Sequence, residues 1–268
     1  MAHPLDSTAA KVQRAEANYA ALNHDAGVWL DEAAIEGETV TVSKTVDLQS
    51  GDIHFVAETV PEAPIRRWGA ITGDIVHNLR CALDHLAFAL ADLANPQRID
   101  DNVTQFPIAR SQAHWDTDAI QRRFTYISDR HKTMIKEVQP WFVQPNDVAI
   151  HPLSTLERLD NHDKHRLIQV VALGFDLWSF YPNVAPFVLT NATITWHAIH
   201  EEPLIKGAKL MTVRITKVDP DGPEPDVDMK PIRAAPNLFL GPGSPIKYVV
   251  PNLTRVVREV IGTFASEF

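Results

Sequence analysis

Two carboxylates on a helix stripe that is otherwise Leu and Val constrain this chain more than any other feature. In HPLSTLERLDNHDKHRLIQVVAL, residues 151–173, Leu153, Leu156, Leu159, Leu167, Val170 and Val171 recur at helical spacing, with Pro152 as first-turn residue. Asp160 and Asp163 project within that stripe, Lys164 lies at its edge, and His162 and His165 point away or sideways. A carboxylate on a buried face is costly unless a cation or several donors meet it. Lys164 and Arg166 supply part of that compensation, and the rest must come from another element.

The stretch GDIVHNLRCALDHLAFAL, residues 73–90, has the groups to supply it. At roughly 100° per residue, Ile75, Leu79, Ala82, Leu83, Leu86 and Leu90 gather on one side of a helix. The other side collects Asp74, His77, Asn78, Arg80, Cys81, Asp84, His85 and Phe88. It contains no Lys or Glu, the usual residues of a solvated face, and it includes a Cys and a Phe, which prefer burial. The expectation is therefore two central helices packed side by side, with Asp160 and Asp163 facing Arg80, His77 and His85. Clusters of this kind displace pKa values and often carry chemistry, although an ion-pair layer that serves structure alone has the same composition.

The remaining sequence places these helices in a fold. Residues 7–24 read as a first helix, and 38–60 as a β-hairpin turning at Ser50-Gly51. Residues 101–110 look extended, 116–138 helical, and 139–147 an aromatic loop between prolines. FVLTNATITWHAI and KLMTVRITKV alternate like strands, and DPDGPEPDVD reads as an acidic loop. Leu253, Val256, Val257, Val260, Ile261 and Phe264 form one apolar stripe on a last helix. The fold class expected is α+β, with an N-terminal β-hairpin and an antiparallel β portion in the C-terminal half. A single domain over 1–268 is expected: a motif-bearing helical core at about 61–175, then a strand-rich portion at about 176–250 closed by helix 252–266.

A net charge of −9 disfavours broad, non-specific binding to nucleic acid. The one cysteine, Cys81, excludes an internal disulfide and a cysteine-rich zinc site. No apolar run reaches membrane-spanning length, and the N-terminus lacks a basic start followed by an apolar stretch. A cytoplasmic protein with no membrane partner is expected. His77, Asp84, His85, Asp160, Asp163 and His165 are ligand types suited to Zn, Mn or Fe, so a metal-dependent hydrolase drawing ligands from both helices is one reading. His77 and His85 lie eight residues apart, unlike the familiar short zinc motifs. A non-enzymatic binding or assembly protein is another, with Trp178, Phe187 and Trp196 carrying the contacts.

GDIVHNLRCALDHLAFAL, then TQFPI, QPW and HPLSTLERLDNHDKHRL, resembles a set of uncharacterised bacterial proteins sharing GD-x-x-HNLR-x-ALDHL and L-x-N-x-DKHR patterns. The match spans about residues 61–175 and implies a grouping, not an activity. Arg80 followed five positions later by His85 is also similar to the Arg–His motif of the HEPN ribonuclease superfamily. There the residue after the arginine is often polar, commonly Asn; here it is Cys81, with Asn78 before the arginine instead. This second resemblance implies metal-independent RNA cleavage at a site shared by two subunits of a homodimer. It makes His85 the general acid or base, Arg80 the ligand of the scissile phosphate and Asp84 the group that orients the histidine.

Overall fold

The computed structural model describes residues 3–35, 41–47, 52–60, 62–97, 104–164, 168, 170–175, 187–190, 192–198, 206–207, 209–217, 221, 226–229, 236–240 and 245–268. The chain divides into two compact units, one of Met1–Leu22, Arg66–Ile168 and Tyr248–Phe268, the other of Asn23–Ile65 and Gln169–Lys247.

The first unit is built from helices α1 (Asp6–Ile35, up to Leu22), α2 (Ile65–Ala94), α3 (Gln112–Trp115), α4 (Asp118–Gln121), α5 (Asp129–Glu137), α6 (Pro140–Val143), α7 (Pro152–Asp163) and α8 (Ile246–Thr263). Helix α2 starts straight after Pro64 and stops before Asn95-Pro96, where proline chemistry bars its continuation. Ile75, Val76, Leu79, Ala82, Leu83, Leu86, Ala87 and Leu90 on α2 are all fully buried. Helix α8 buries Val250, Leu253, Val256, Val257 and Val260, with Phe264 just beyond its end. Arg258 of α8 donates to both carboxylate oxygens of Glu16 on α1 at 2.8 Å, and Arg130 and His131 of α5 both reach Glu267.

The second unit carries the strands: β1 (Thr41–Asp47), β2 (Asp52–Thr59), β3 (Val170–Phe175), β4 (Phe187–Thr190), β5 (Ala192–Ala198), β6 (Lys209–Lys217), β7 (Asp226–Met229) and β8 (Pro236–Leu240). They pair as a four-stranded sheet in the order β1-β2-β6-β5 and as two ribbons, β3-β8 and β4-β7.

The α+β fold class assigned from the sequence is corrected by this arrangement. The body that holds the motifs is helical, with no strand and no sheet among its described residues. Its last helix belongs to that body, where the stripe on α8 is buried along with the apolar faces of α1 and α2.

Local boundaries shift for physical reasons as well. The helix expected over 151–173 ends at Asp163, and the β-branched start of VVALGF pairs with β8 instead. The helix expected over 116–138 breaks into α4, a 3-10 turn at Arg122–Phe124 and α5, because Ser128 caps a fresh start by accepting from the His131 N–H. The expected loop at 139–147 contains α6, with Pro140 as first-turn residue. Trp178 and part of the 101–110 stretch lie outside the described residues. No helix among the described residues is long and apolar enough to cross a membrane.

One segment of the helical unit is buried without being regular. Thr104, Phe106, Ile108 and Ala109 are buried in an extended run that pairs with no strand among the described residues. Its backbone still needs partners, since a buried peptide group left unpaired is costly. Side chains provide them. Gln139 accepts from the Ala109 N–H at 2.7 Å and donates to the Pro107 carbonyl at 3.1 Å. Asp84 accepts from the Phe106 N–H at 2.9 Å, and Arg80 donates to the Phe106 carbonyl at 2.6 Å.

Candidate active site between two helices

The meeting of α2 and α7 is set by a glycine. A Cβ placed at Gly73 would lie 2.8 Å from Asp163 Cγ, closer than real Cβ contacts allow, so the missing side chain is what admits the carboxylate. At the other helix, Pro152 fills the first turn and His151 caps it, its Nδ1 accepting from the Leu153 N–H at 3.2 Å. Burial lowers the His151 pKa from 6.5, which favours the neutral ring this cap requires.

One helical turn further along α2, His77 faces Asp160, with Nδ1 3.6 Å from Oδ1. Asp160 is only 2% exposed, and Lys164 also holds it, Nζ to Oδ2 at 2.7 Å. The predicted need of this carboxylate for a cation is met by Lys164, with the His77 ring as a second neighbour. The other ring nitrogen of His77 lies 3.3 Å from Cys81 Sγ, one turn along the same helix. The His77 side chain is 55% exposed, so the imidazole spans from a buried carboxylate to a group that solvent can approach. In the tautomer that keeps its hydrogen on Nδ1, on the Asp160 side, Nε2 presents its lone pair to the thiol.

The neighbouring groups titrate away from their ordinary values. Burial raises the Asp163 carboxyl, Asp160 and Asp74 add to the rise, and His77 opposes it. Burial also raises the Cys81 thiol; Lys11 and Arg80 pull it down while Asp84 and Asp160 push it up. The resting sulfur is therefore a thiol, and a base must act before it becomes a nucleophile.

Arg80 does not face Asp160 and Asp163 as the sequence pattern suggested. Its guanidinium, 8% exposed, donates to Asp84 at 2.8 Å and to the Phe106 carbonyl. Burial raises the Asp84 carboxyl in spite of the opposing Arg80 and Phe106 N–H. Nearby, burial and the Arg80 charge lower the pKa of Arg123. Asn78 is likewise occupied, donating to the Asp74 carbonyl at 2.7 Å. His85 lies elsewhere, lining a groove of about 430 Å³ with Pro4, Ser7, Asp92, Leu93 and Phe268. His165 falls outside the described residues.

The structure thus groups His77, Asp160, Asp163 and Lys164 at one place, Arg80 and Asp84 at a second, and His85 at a third. No family of known proteins matches the chain, and neither does any curated protein or solved structure. Its chemistry has to be read from its own geometry.

Among the described residues, no three His, Cys, Asp or Glu side chains gather as a group that could hold a metal ion. Two residues, Gln139 and Cys81, make contacts to which the sequence pattern assigned no role. Gln139 carried no signal, because its partners are backbone groups. Cys81 did carry one: it stands four residues after His77, the spacing that brings two side chains together on a helix.

Proposed function

We propose that this protein is a hydrolase working by general acid–base catalysis, with His77 as the proton-transfer group and Asp160 as the residue that orients it. The observation that carries this reading is the position of the imidazole, its Nδ1 3.6 Å from a buried carboxylate while its side chain is 55% exposed. A base set between an orienting acid and an open face is the arrangement proton abstraction requires. Asp163, within electrostatic reach of His77, keeps its proton to higher pH than an ordinary carboxyl and supplies the acid partner.

The test is a panel of small activated esters and end-labelled RNA, the RNA arm run with chelator. The panel is assayed with wild type, His77→Gln and His85→Gln. Hydrolysis of at least one substrate, lowered roughly 100-fold or more by His77→Gln and unchanged by His85→Gln, is the expected result. Loss through His85→Gln with His77→Gln intact would return the site to the Arg80–His85 pair of the ribonuclease resemblance.

A second reading rests on the Arg80 geometry. Arg80 and Asp84 form a structural ion-pair layer that anchors residues 104–109, as in a binding or assembly protein that does no chemistry. Equal inactivity of wild type and all variants across the panel favours it.

A further inference from the structure

We infer that Cys81 is the nucleophile of this site, so that its substrates are acyl compounds (esters or thioesters) attacked through sulfur. The inference rests on the reading of His77 as base and deepens it by naming the attacking atom and the substrate class.

The geometry runs in one line through three residues on two helices. Cys81 Sγ lies 3.3 Å from His77 Nε2, and His77 Nδ1 lies 3.6 Å from Asp160 Oδ1. This order of nucleophile, base and orienting carboxylate recurs on unrelated folds wherever acyl groups are transferred. Each position here has an independent structural reason. Cys81 and His77 are fixed one turn apart on α2, inside a 30-residue helix whose opposite face is fully buried. Asp160 comes from α7 and is pinned by Lys164. Cys81 is partly exposed, so a substrate can reach the sulfur. Among the described residues it has no disulfide partner, and the chain has no second cysteine to offer one.

The electrostatic surroundings fit activation on demand. The groups acting on the sulfur are Lys11 from α1, Arg80 and Asp84 from α2, and Asp160 from α7. His77 is flanked by Asp160 and Asp163 of α7, and Asp163 in turn feels Asp74 of α2 and His162 of α7. In the first half-reaction, the thiol proton passes to His77 Nε2 as sulfur bonds to the substrate carbonyl carbon, whose π pair moves onto oxygen. Collapse of that intermediate expels the alcohol or thiol, which takes the proton from His77 and leaves an acyl thioester on Cys81. Water then adds to the thioester carbonyl, giving its proton to His77. The thiol departs with that proton, the carboxylic acid is released, and the resting site returns.

The experiment uses the full chain and p-nitrophenyl acetate, a small activated ester, followed by intact-mass and peptide mass spectrometry. The expected result is an acetyl group on Cys81 in wild type, no such adduct in Cys81→Ala, and acetylation slowed roughly 100-fold in His77→Gln. Because Asp160 is buried, Asp160→Asn is scored only alongside its melting curve. A folded Asp160→Asn protein that acetylates more slowly, with a displaced pH profile, supports the line through all three residues. Ester hydrolysis that depends on His77 yet persists in Cys81→Ala overturns the nucleophile and leaves the base in place. Cys81 acetylation at the wild-type rate in His77→Gln overturns the base as well. A wild type that neither acetylates Cys81 nor hydrolyses the ester overturns the proposal outright.

Discussion

Replacing Arg80 by Met isolates the contribution of the buried clamp around Phe106. Methionine keeps much of the apolar stem of arginine, so the change removes the guanidinium and its two hydrogen bonds while leaving little cavity. The Phe106 carbonyl then loses its donor in a buried place, which costs about 1–3 kcal/mol. Asp84 loses its cation; breaking a fully buried ion pair costs about 3–5 kcal/mol, but the Asp84 side chain is 30% exposed and water can reach it, so the lower end applies. The expected destabilisation is about 2–4 kcal/mol, a large share of the roughly 5–15 kcal/mol that stabilises a typical domain. Asp84→Asn keeps an acceptor for the Phe106 N–H and should cost only about 1 kcal/mol. The double variant should cost about as much as Arg80→Met alone, because no stranded carboxylate remains. Urea unfolding followed by far-ultraviolet circular dichroism measures all three. The reasoning fails if Arg80→Met lies within about 0.5 kcal/mol of wild type, or if the two single costs simply add in the double variant. Loss of RNA cleavage in Arg80→Met with an unmoved unfolding curve would assign the guanidinium to phosphate instead.

Gly73→Ala gains roughly 1 kcal/mol of helix propensity but drives the Asp163 carboxylate, the end of a flexible side chain, from its place. The melting temperature should therefore rise by less than propensity alone would give. Gly73→Ala should stabilise more in an Asp163→Ala background than in wild type, and equal effects in both would contradict the close approach. His151, with its pKa lowered from 6.5, binds its proton more readily in the unfolded chain. Stability should therefore be intact above pH 6.5 and fall as pH drops through the window below it, a slope that thermal melts should find flattened in His151→Asn. Asp163 has the opposite sign: its raised pKa means the folded protein holds the proton more tightly, so stability should decline as pH rises from 3.8 through the raised value. Asp163→Asn should remove that decline in melts run across the acid range.

The long helices were legible because their signals are local. The proline before α2, the Asn-Pro after it and the apolar stripe of α8 can all be read from neighbouring residues. The need of Asp160 for compensation was legible too, because a carboxylate on an apolar stripe demands a partner wherever the chain goes. The identity of the partner was not. Arg80 was the obvious cation, but its best acceptor is the carbonyl of Phe106, and every residue has a carbonyl. The same blindness hid Gln139, whose contacts are all to backbone. Val170 and Val171 continued the helical period of 151–173 past its real end, since a β-branched pair serves either structure until a strand partner is found. His85 was grouped with Arg80 by spacing alone, yet five residues along a helix turn a side chain far from its starting direction.

The run from Thr104 to Ala109 has a consequence for how the chain finds its register. A buried strand in a sheet can slip and still meet amide groups at every step, because its neighbour offers a repeating ladder. This run meets one arginine, one aspartate and one glutamine, each placed for a single peptide unit. A shift by one residue would present Pro107, which has no N–H, to the Asp84 carboxylate. A slip in that direction is penalised at once, by a carboxylate left without its donor.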